Sequence, residues 1–269
     1  MGRLEGKVVF LTGAGAGIAK ATALSCVREG AQVALFELNE EAGASAEKQI
    51  RDAGGSALFV HTDVTSDDSV REAVSKTVKH FGRLDVIFNC AGGSSEDDHP
   101  VHEMDLEVWH KTIALNLLHP FLTCRHGIPH LIKAGGGSII NVTSHLGLVG
   151  SVKPAYAATK GGIISFTKTL AAQYVEYNIR ANAIAPGSIR TERTLGRYDN
   201  PNAVLSERAK LDLRRRAKMK KLYPFASGDP KDIAEIAVFL ASDESRMLTG
   251  TTIAADGGRS SYLKVDAGE

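Results

Sequence analysis

The chain has 269 residues, of which 43% are hydrophobic and 23% charged, and its formal net charge is +1. This composition is typical of a globular protein, and so small a net charge gives no argument for binding nucleic acid or a membrane surface. No apolar stretch reaches the ~18 residues that a bilayer-spanning helix needs. Cys26, Cys90 and Cys124 are odd in number and widely spaced, which favours reduced core thiols over disulfides or a metal site. We therefore expect a cytoplasmic protein.

Short apolar runs alternate with longer helical patterns along the chain. Seven runs predict strands at 7–12, 32–37, 57–64, 84–92, 137–144, 179–187 and 250–258. Periodic patterns between them predict helices at 18–30, 39–55, 66–82, 105–133, 154–176 and 229–243, the fourth of them bent at Pro120. Strands that are hydrophobic on both faces and separated by helices indicate a parallel sheet covered on both sides. The sequence thus predicts one α/β domain over 1–269, a doubly wound sheet of seven parallel strands.

One long segment departs from this alternation. Residues 190–228 lie between the sixth predicted strand and the last helix, and long insertions in compact folds tend to be functional lids. Within this segment, 208–222 contains eight Lys and Arg residues and one acid, Asp212. Two interpretations stay open: a solvated lid helix, or a basic rim that attracts an anionic substrate or carrier such as a CoA thioester.

A glycine-rich turn, TGAGAGIA at 12–19, connects the first predicted strand to the first helix. Backbone N–H groups and the helix dipole at such a turn attract a pyrophosphate, and glycine lets the anion approach closely. The turn does not fit the dinucleotide spacing G-x-G-x-x-G. Counted from Gly13 the sixth position is Ile18, and counted from Gly15 it is Lys20. The turn alone therefore does not identify a nucleotide.

Together with later motifs, the turn resembles that of the short-chain dehydrogenase/reductase family, whose spacing is T-G-x-x-x-G-x-G. Thr12, Gly13 and Gly17 match this spacing, and Ala19 replaces the last glycine. NCAG at 89–92 is similar to the family's N-N-A-G, and PGSIRT at 186–191 is similar to its P-G-x-x-x-T. The family's catalytic tetrad is matched by four residues: Asn116, Ser144, Tyr156 and Lys160.

This resemblance implies a Rossmann-like fold and an oxidoreductase that uses a nicotinamide dinucleotide. It also implies a homotetramer in which the 105–133 and 154–176 helices pair across a two-fold axis. Besides Tyr156 and Lys160, the cofactor contacts that it implies are made by Thr12, Gly13, Gly15, Gly17, Ile18, Glu37, Asp63, Val64, Asn89, Ala91, Gly92, Pro186, Gly187, Ile189 and Thr191. No metal is implied, and the acidic stretch SEDDHP at 95–100 is interpreted as a solvated loop that flanks the substrate.

Glu37 indicates which dinucleotide the protein uses. It ends the second predicted strand, 24 residues after Gly13, where an acid hydrogen-bonds the adenosine ribose hydroxyls in NAD sites. A carboxylate at this position repels the 2′-phosphate of NADP. The family members that prefer NADP usually carry a basic residue in the turn or after the second strand, whereas this chain has Ala16, Leu38 and Asn39. The sequence therefore predicts NAD.

The spacing of the tetrad suggests its chemistry. Tyr156 and Lys160 are four residues apart on one predicted helix and share a face, so we expect the ammonium to lower the pKa of the phenol. Tyr156 would then exchange a proton with the substrate oxygen, and Ser144 would hydrogen-bond that oxygen. By resemblance, Lys160 also holds the nicotinamide ribose, and Asn116 bends its helix and holds a water for proton relay. We expect Thr143 to face away from Ser144.

The leading interpretation is an NAD-dependent dehydrogenase that acts on a small secondary alcohol or its ketone. Two alternatives belong to the same family, a 3-oxoacyl-thioester reductase and a cis-dihydrodiol dehydrogenase. Glu37 argues against the reductase because such enzymes usually use NADPH. An NAD-sensing scaffold without turnover is the non-enzymatic alternative, and the complete tetrad argues against it because a pure binder does not require Tyr156. His145, directly after Ser144, is interpreted as lining a pocket or capping a helix.

Overall fold

The computed structural model describes residues 2–196 and 221–262. Its strands are β1 (Val8–Thr12), β2 (Gln32–Glu37), β3 (Ala57–His61), β4 (Val86–Asn89), β5 (Gly137–Val142), β6 (Ile179–Pro186), β7 (Ser188–Ile189), β8 (Ser227–Gly228) and β9 (Thr252–Ala255). Seven of them form one sheet in the order β3-β2-β1-β4-β5-β6-β9, in which every pairing is parallel. The short strands β7 and β8 pair with each other outside this sheet. The predicted seven-stranded parallel sheet is confirmed.

Helices connect these strands, and all of the helices except the short one at Glu192–Gly196 lie where the sequence predicts helix. They are α1 (Gly17–Arg28), α2 (Glu40–Asp52), α3 (Asp67–Phe81), α4 (Leu106–Ile113), α5 (His119–Lys133), α6 (Pro154–Tyr174), α7 (Glu192–Gly196) and α8 (Pro230–Ala241). Two of the helix starts carry the side-chain caps that their sequences suggest. Asn39 accepts a hydrogen bond from the backbone of Ala42 at the start of α2, and Ser66 accepts one from Ser69 at the start of α3.

Helices cover both faces of the sheet. Alternate residues of a strand face opposite sides, and on β1 Val9 and Leu11 pack into one core with residues of α1, α2 and α8. Val8 and Phe10 face the other way and pack into a second core with residues of α3, α5 and α6. The fold is therefore a single Rossmann-like, doubly wound α/β domain, as predicted.

The strand order reverses at the centre of the sheet. The chain leaves β1 toward β2 on one side, and it later returns to place β4 on the other side of β1. Ligands of doubly wound sheets bind in the crevice outside the carboxyl ends of the strands at such a switch point. The glycine-rich turn follows β1 and the NCAG motif follows β4, so the topology places both at this crevice.

The predicted 105–133 helix is interrupted at Asn116, where the family resemblance implies a bend, and not at Pro120. A π-helical turn over Ala114–Leu118 separates α4 from α5, and Asn116 lies in its middle. Pro120 lies in the first turn of α5, where its missing N–H costs nothing, so the predicted bend at Pro120 is wrong. The local cause is the amide of Asn116, whose Nδ2 donates to the carbonyl of Thr112, 3.1 Å away.

Several predicted strands end earlier than expected, and two of these early ends, those of β3 and β4, bear on the crevice. β3 ends at His61 and β4 at Asn89, so Asp63, Val64, Ala91 and Gly92 lie in loops beyond the sheet. These loops leave the sheet at its carboxyl edge, which is the edge of the switch-point crevice. The residues that shorten the strands are therefore the ones that the motifs assign to the cofactor.

The predicted lid at 190–228 is described only at its two ends. Residues 190–196 include α7, and residues 221–228 end in β8; the middle, with 208–220 of the basic run, lies outside the described residues. Over 2–196 and 221–262, no helix combines the length and the apolarity needed to cross a membrane. The same ranges contain no group of three or more His, Cys, Asp or Glu side chains placed to hold a metal ion.

Candidate active site

The glycine-rich turn is held against the neighbouring strands. Gly13 has φ 69°, and a Cβ there would lie 3.1 Å from Cα of Ala91 in the loop after β4, so glycine is needed for both conformation and space. Thr12 is fully buried, and its Oγ1 accepts hydrogen bonds from the backbone N–H groups of Cys90 and Ala91 at 2.9 and 3.1 Å. The ends of β1 and β4 are thereby joined at the switch point.

Ala19, the departure from the family spacing, lies inside the core. It is 1% exposed on α1 and packs with the apolar residues that α1 shares with α8. The last glycine in such turns lets the helix pack closely against its neighbours. At this position the methyl group of Ala19 fits within the core, so α1 remains packed there. Ile18, the preceding residue, is half-buried and packs against the same core.

Glu37 faces the glycine-rich turn from the end of β2. Its Oε2 accepts a hydrogen bond from the N–H of Gly15 at 3.0 Å, and its Oε1 accepts from Leu38 and Asn39, each at 3.0 Å. A Cβ on Gly15 would lie 2.9 Å from Cγ of Glu37, so the turn and the carboxylate are in direct contact. Glu37 remains half-exposed at the crevice.

A cleft of about 510 Å³ opens beside Glu37. It brings together six residues that the motifs assign to the cofactor, namely Gly13, Glu37, Asp63, Val64, Ala91 and Gly92. One carboxylate oxygen of Asp63 is already hydrogen-bonded within its own loop. Its Oδ1 accepts from the N–H and the hydroxyl of Thr65 at 2.9 and 2.7 Å. Asn89 is not part of this lining. Its amide is 1% exposed and hydrogen-bonds Asn141 and Thr123 in the interior.

The segment 186–191 borders the glycine-rich turn from the opposite side. A Cβ on Gly17 would lie 3.1 Å from the Cγ2 methyl of Thr191, and Gly17 has φ 57°. Pro186 ends β6, and its carbonyl is 3.2 Å from Nδ1 of His145. Gly187 lies against Asp256, and Ile189 is 8% exposed, so this segment is anchored in the fold before it reaches the crevice.

Ser144, Tyr156 and Lys160 form one cluster at the carboxyl edge of β5. Ser144 lies close enough to the phenol of Tyr156 to lower its pKa, and Nζ of Lys160 lies 5.6 Å from the centroid of the tyrosine ring. Lys160 is 3% exposed and donates a hydrogen bond to the carbonyl of Val142 at 2.9 Å. Thr143 is turned away, as expected, and its hydroxyl donates to the carbonyl of Lys160 at 2.6 Å.

Asn116 connects the π-helical turn to the loop after β4. Its Oδ1 accepts from the N–H of Gly93 at 2.9 Å and its Nδ2 donates to the carbonyl of Gly93 at 3.1 Å. A Cβ on Gly92 would lie 2.5 Å from Oδ1 of Asn116 and 3.5 Å from Nζ of Lys160. Asn116 and Lys160 therefore flank Gly92, and all four residues of the predicted tetrad belong to one region.

The two titratable groups of the cluster have shifted pKa values. Withdrawal from water raises the pKa of Tyr156, and the hydrogen bond with Ser144 and the charge of Arg193 offset only part of that increase. Burial lowers the pKa of Lys160 from 10.5 to about 8. The pKa of Tyr156 is thus raised and not lowered as expected, because the cost of burying the phenolate dominates and Lys160 is not among the groups that shift this pKa.

Asp98 is a residue of this site that the sequence analysis misjudged. It lies in the 95–100 stretch predicted to be a solvated loop, yet its side chain is fully buried. Its Oδ1 accepts from the N–H of Ala155 at 3.1 Å and its Oδ2 from the N–H of Tyr156 at 3.0 Å. The N-cap residue of α6, Lys153, provides no side-chain cap, so Asp98 caps the helix that carries Tyr156 and Lys160.

The remainder of that stretch and the residues after it agree with the solvated interpretation. Asp97 is exposed, and His102 and Glu103 form an exposed pair at 3.2 Å. No local pattern distinguishes Asp98 from Asp97, because the partners of Asp98 lie 57 and 58 residues further along the chain. Only the tertiary fold reveals which of the two adjacent aspartates is structural.

The chain was compared with known proteins. It matches the family model described as Enoyl-(Acyl carrier protein) reductase over residues 13–260. It is 38% identical over 259 residues to 2,5-dichloro-2,5-cyclohexadiene-1,4-diol dehydrogenase LinX of Sphingobium indicum, covering 95% of this chain and 97% of that protein.

Solved structures give the same result. A short-chain type dehydrogenase/reductase from Mycobacterium ulcerans is similar with a TM-score of 0.85 and 28% identity, over 96% of this chain and 90% of that one. A 7α-hydroxysteroid dehydrogenase complexed with NADH and 7-oxo glycochenodeoxycholic acid is similar with a TM-score of 0.85 and 29% identity, over 95% of each chain. The chain therefore belongs to the short-chain dehydrogenase/reductase family of oxidoreductases.

Proposed function

We propose that the protein is an NAD-dependent dehydrogenase that transfers a hydride between a small secondary alcohol, or its ketone, and the nicotinamide, with Tyr156 as general acid and base. The observation that carries the proposal is the cluster at the edge of β5. Ser144 acts on the phenol of Tyr156 at close range, and Lys160 lies 5.6 Å from the tyrosine ring beside Asn116 and Gly92. Such a cluster is suited to proton transfer at a substrate oxygen.

The start of α1 fits the pyrophosphate of a dinucleotide. Its N-cap residue, Ala16, offers no side-chain acceptor, and no acidic residue lies in the first helical turn. The N–H of Gly17 is instead met by Oε2 of Glu192 at 3.0 Å, so a carboxylate stands where a phosphate oxygen is expected. An anion is thus already favoured at this N–H group by its dipole and by the space that Gly17 leaves.

Glu37 supports NAD over NADP. Its carboxylate lies in the 510 Å³ cleft and touches the turn at Gly15, where the adenosine ribose is expected. A 2′-phosphate would place two further negative charges near this carboxylate, whereas ribose hydroxyls can donate hydrogen bonds to it. NADH in the similar hydroxysteroid dehydrogenase agrees with this choice.

The chemistry divides between the cofactor and the chain. When bound, NAD supplies the hydride acceptor, and this part of the reaction belongs to the cofactor. Tyr156 removes the alcohol proton in oxidation and returns it in reduction, while the hydroxyl of Ser144 holds the reacting oxygen. Lys160 donates one of its three ammonium N–H groups to the carbonyl of Val142, and the other two would hold the nicotinamide ribose.

The pKa shifts bear on the direction of the reaction. Because the pKa of Tyr156 is raised, the phenol keeps its proton at neutral pH and can donate it to a ketone. Oxidation needs the phenolate, so its rate is expected to increase toward alkaline pH. Alkaline assays are therefore the appropriate first test for an alcohol substrate.

A cyclic diol is the second candidate substrate. The relative LinX is named for a cyclohexadiene diol, at 38% identity over nearly the whole of both chains. A 3-oxoacyl-thioester reductase stays an alternative that Glu37 disfavours, and an NAD-sensing scaffold stays the non-enzymatic one. The segment 190–228, which the sequence suggests as a substrate-covering lid, lies in part, over 197–220, outside the described residues.

The decisive experiment measures NADH formation at alkaline pH with secondary alcohols, diols, sterols and 3-hydroxyacyl-CoAs, using NAD and NADP in parallel. The Tyr156→Phe variant should still bind NADH but lose turnover. Tyr174→Phe, on the same helix, is the matched control and should keep its activity. A higher kcat/KM with NADP, or an active Tyr156→Phe enzyme, contradicts the proposal.

We also propose a homotetramer located in the cytoplasm. Large apolar side chains are exposed on the helices that the family resemblance assigns to the interface. Phe121 on α5 is 45% exposed, Leu118 just before it 39%, and Val175 after α6 61%. Burying such a patch against a second copy is favourable in water. Analytical ultracentrifugation of the wild type and of Phe121→Glu tests this assembly.

A further inference from the structure

Arg193 reaches into the crevice from the first turn of α7. Its Nη1 donates a hydrogen bond to the carbonyl of Gly92 at 3.2 Å, and its guanidinium lies so close to Gly93 that a Cβ would not fit there. Gly92 and Gly93 are the residues that contact Asn116 and border Lys160. The side chain of Arg193 therefore extends from the segment after β7 to the loop after β4, next to the proposed catalytic cluster.

The charge of Arg193 is not neutralised within the described residues. It forms no ion pair there, and of its five N–H donors a single one is used, at a long distance. Glu192, its neighbour, is turned toward Gly17 instead. Arg190 on the same segment behaves differently, because it binds Asp229 through two hydrogen bonds of 2.8 and 2.6 Å.

The unneutralised charge acts on the catalytic residues. It lowers the pKa of Lys160, which burial already depresses to about 8, and it partly offsets the rise in the pKa of Tyr156. No carboxylate of the described residues contributes to the shift of Lys160. Among the described residues, Arg193 and Lys160 therefore lie at one crevice with no carboxylate paired to either of them, and an anionic ligand group would lower the free energy of this arrangement.

We propose that Arg193 is an anion-binding residue of the crevice that pairs with a phosphate or carboxylate group of a bound ligand. Guanidinium groups form strong charge-assisted hydrogen bonds with both anions. The group can come from the pyrophosphate of the dinucleotide or from a carboxylate on the substrate. This inference rests on the proposed function, because both ligands belong to the dehydrogenase reaction.

The test compares Arg193→Gln with Arg190→Gln in the full-length protein. Binding of NADH is measured by fluorescence, and its displacement by ADP-ribose, which contains the pyrophosphate, and by adenosine, which lacks it. In parallel, kcat/KM is measured for hydroxy acids and for their methyl esters. Arg190→Gln removes a charge from the same segment, but this guanidinium is already paired with Asp229, so the substitution should leave the ADP-ribose-to-adenosine affinity ratio and the acid-to-ester ratio of kcat/KM unchanged.

Each result has a defined meaning. A loss of about tenfold in ADP-ribose affinity with unchanged adenosine affinity identifies the pyrophosphate, since one charge-assisted hydrogen bond is worth about that factor. A similar decrease in the ratio of kcat/KM for hydroxy acids to kcat/KM for their methyl esters, with unchanged ADP-ribose affinity, identifies a substrate carboxylate. If both quantities stay within twofold of the wild type, or if Arg190→Gln lowers them equally, the proposal is overturned. A wild-type protein that neither binds NADH nor turns over contradicts the proposed function instead.

Discussion

Replacing Asp98 by alanine is expected to destabilise the protein and slow its reaction together. The carboxylate is fully buried and accepts the N–H groups of Ala155 and Tyr156 at 3.1 and 3.0 Å. Alanine leaves both donors buried without an acceptor, at about 1–3 kcal/mol for each. The free energy of unfolding should therefore decrease by roughly 2–6 kcal/mol, which is large for a residue in a loop.

The same substitution should lower kcat more than it weakens NADH binding. Tyr156 follows Ala155 in the first turn of α6, so loosening this turn displaces the phenol from Ser144. A displacement of about 1 Å from the reactive geometry can cost on the order of a hundredfold in rate. The glycine-rich turn lies at the end of another strand and does not depend on this cap, so the Kd of NADH should stay close to the wild-type value.

The assay is urea unfolding followed by steady-state kinetics on Asp98→Ala, Asp98→Asn and Asp97→Ala. Asparagine keeps one acceptor oxygen and should lose about half as much stability as alanine does. Asp97 is exposed, and its carboxylate meets the hydroxyl of Ser95 at 3.4 Å, so its removal should change stability by less than about 0.5 kcal/mol. If Asp98→Ala and Asp97→Ala unfold at the same urea concentration, the proposed role of Asp98 as a helix cap is refuted.

Three further predictions concern charges around the crevice. Glu37→Ala should reduce the preference for NAD over NADP by about tenfold or more in kcat/KM, because it removes repulsion of the 2′-phosphate; an unchanged ratio contradicts the assignment. Glu192→Gln should lower the Kd of NADH, measured by fluorescence, because the carboxylate competes with phosphate for the N–H of Gly17; weaker binding contradicts it. Lys160 should make stability increase with pH: in the folded state its pKa is about 8, the unfolded value is 10.5, and between these values the unfolded chain binds more protons. The increase is up to about 1.4 kcal/mol per pH unit, and Lys160→Met should lack it in urea titrations at pH 8 and 10.

The parts of the fold that could be predicted from sequence are those with a local cause. β1, β2 and β4 are buried on both faces and appear as continuous apolar runs, and Asn39 and Ser66 mark helix starts by their own side chains. The ends of the strands could be predicted less well from the sequence. The predicted third strand runs to Val64, whereas β3 ends at His61, because the chain turns there to form the crevice.

The site residues that were missed act over long separations. Asp98 meets Tyr156 across 58 residues and Arg193 meets Gly92 across 101, and neither pairing leaves a periodic or spaced pattern in the chain. The motifs could suggest the tetrad and the glycine-rich turn because their spacing is fixed along the chain. They gave the wrong direction for the pKa of Tyr156, because burial, which dominates it, is a property of the packed structure.

His119 shows how the two halves of the site are joined. It is 1% exposed; its Nδ1 lies 2.9 Å from the carbonyl of Leu115 in the π-helical turn, and its Nε2 lies 3.0 Å from the hydroxyl of Thr12. The carbonyl can only accept, so Nδ1 carries the proton and Nε2 accepts the hydroxyl of Thr12. Burial lowers the pKa of His119 to about 3, so the ring stays neutral and this tautomer persists at any pH at which the enzyme would work. Because the oxygen of Thr12 in turn accepts the N–H of Cys90, one neutral network links the glycine-rich turn to the helix that carries Asn116.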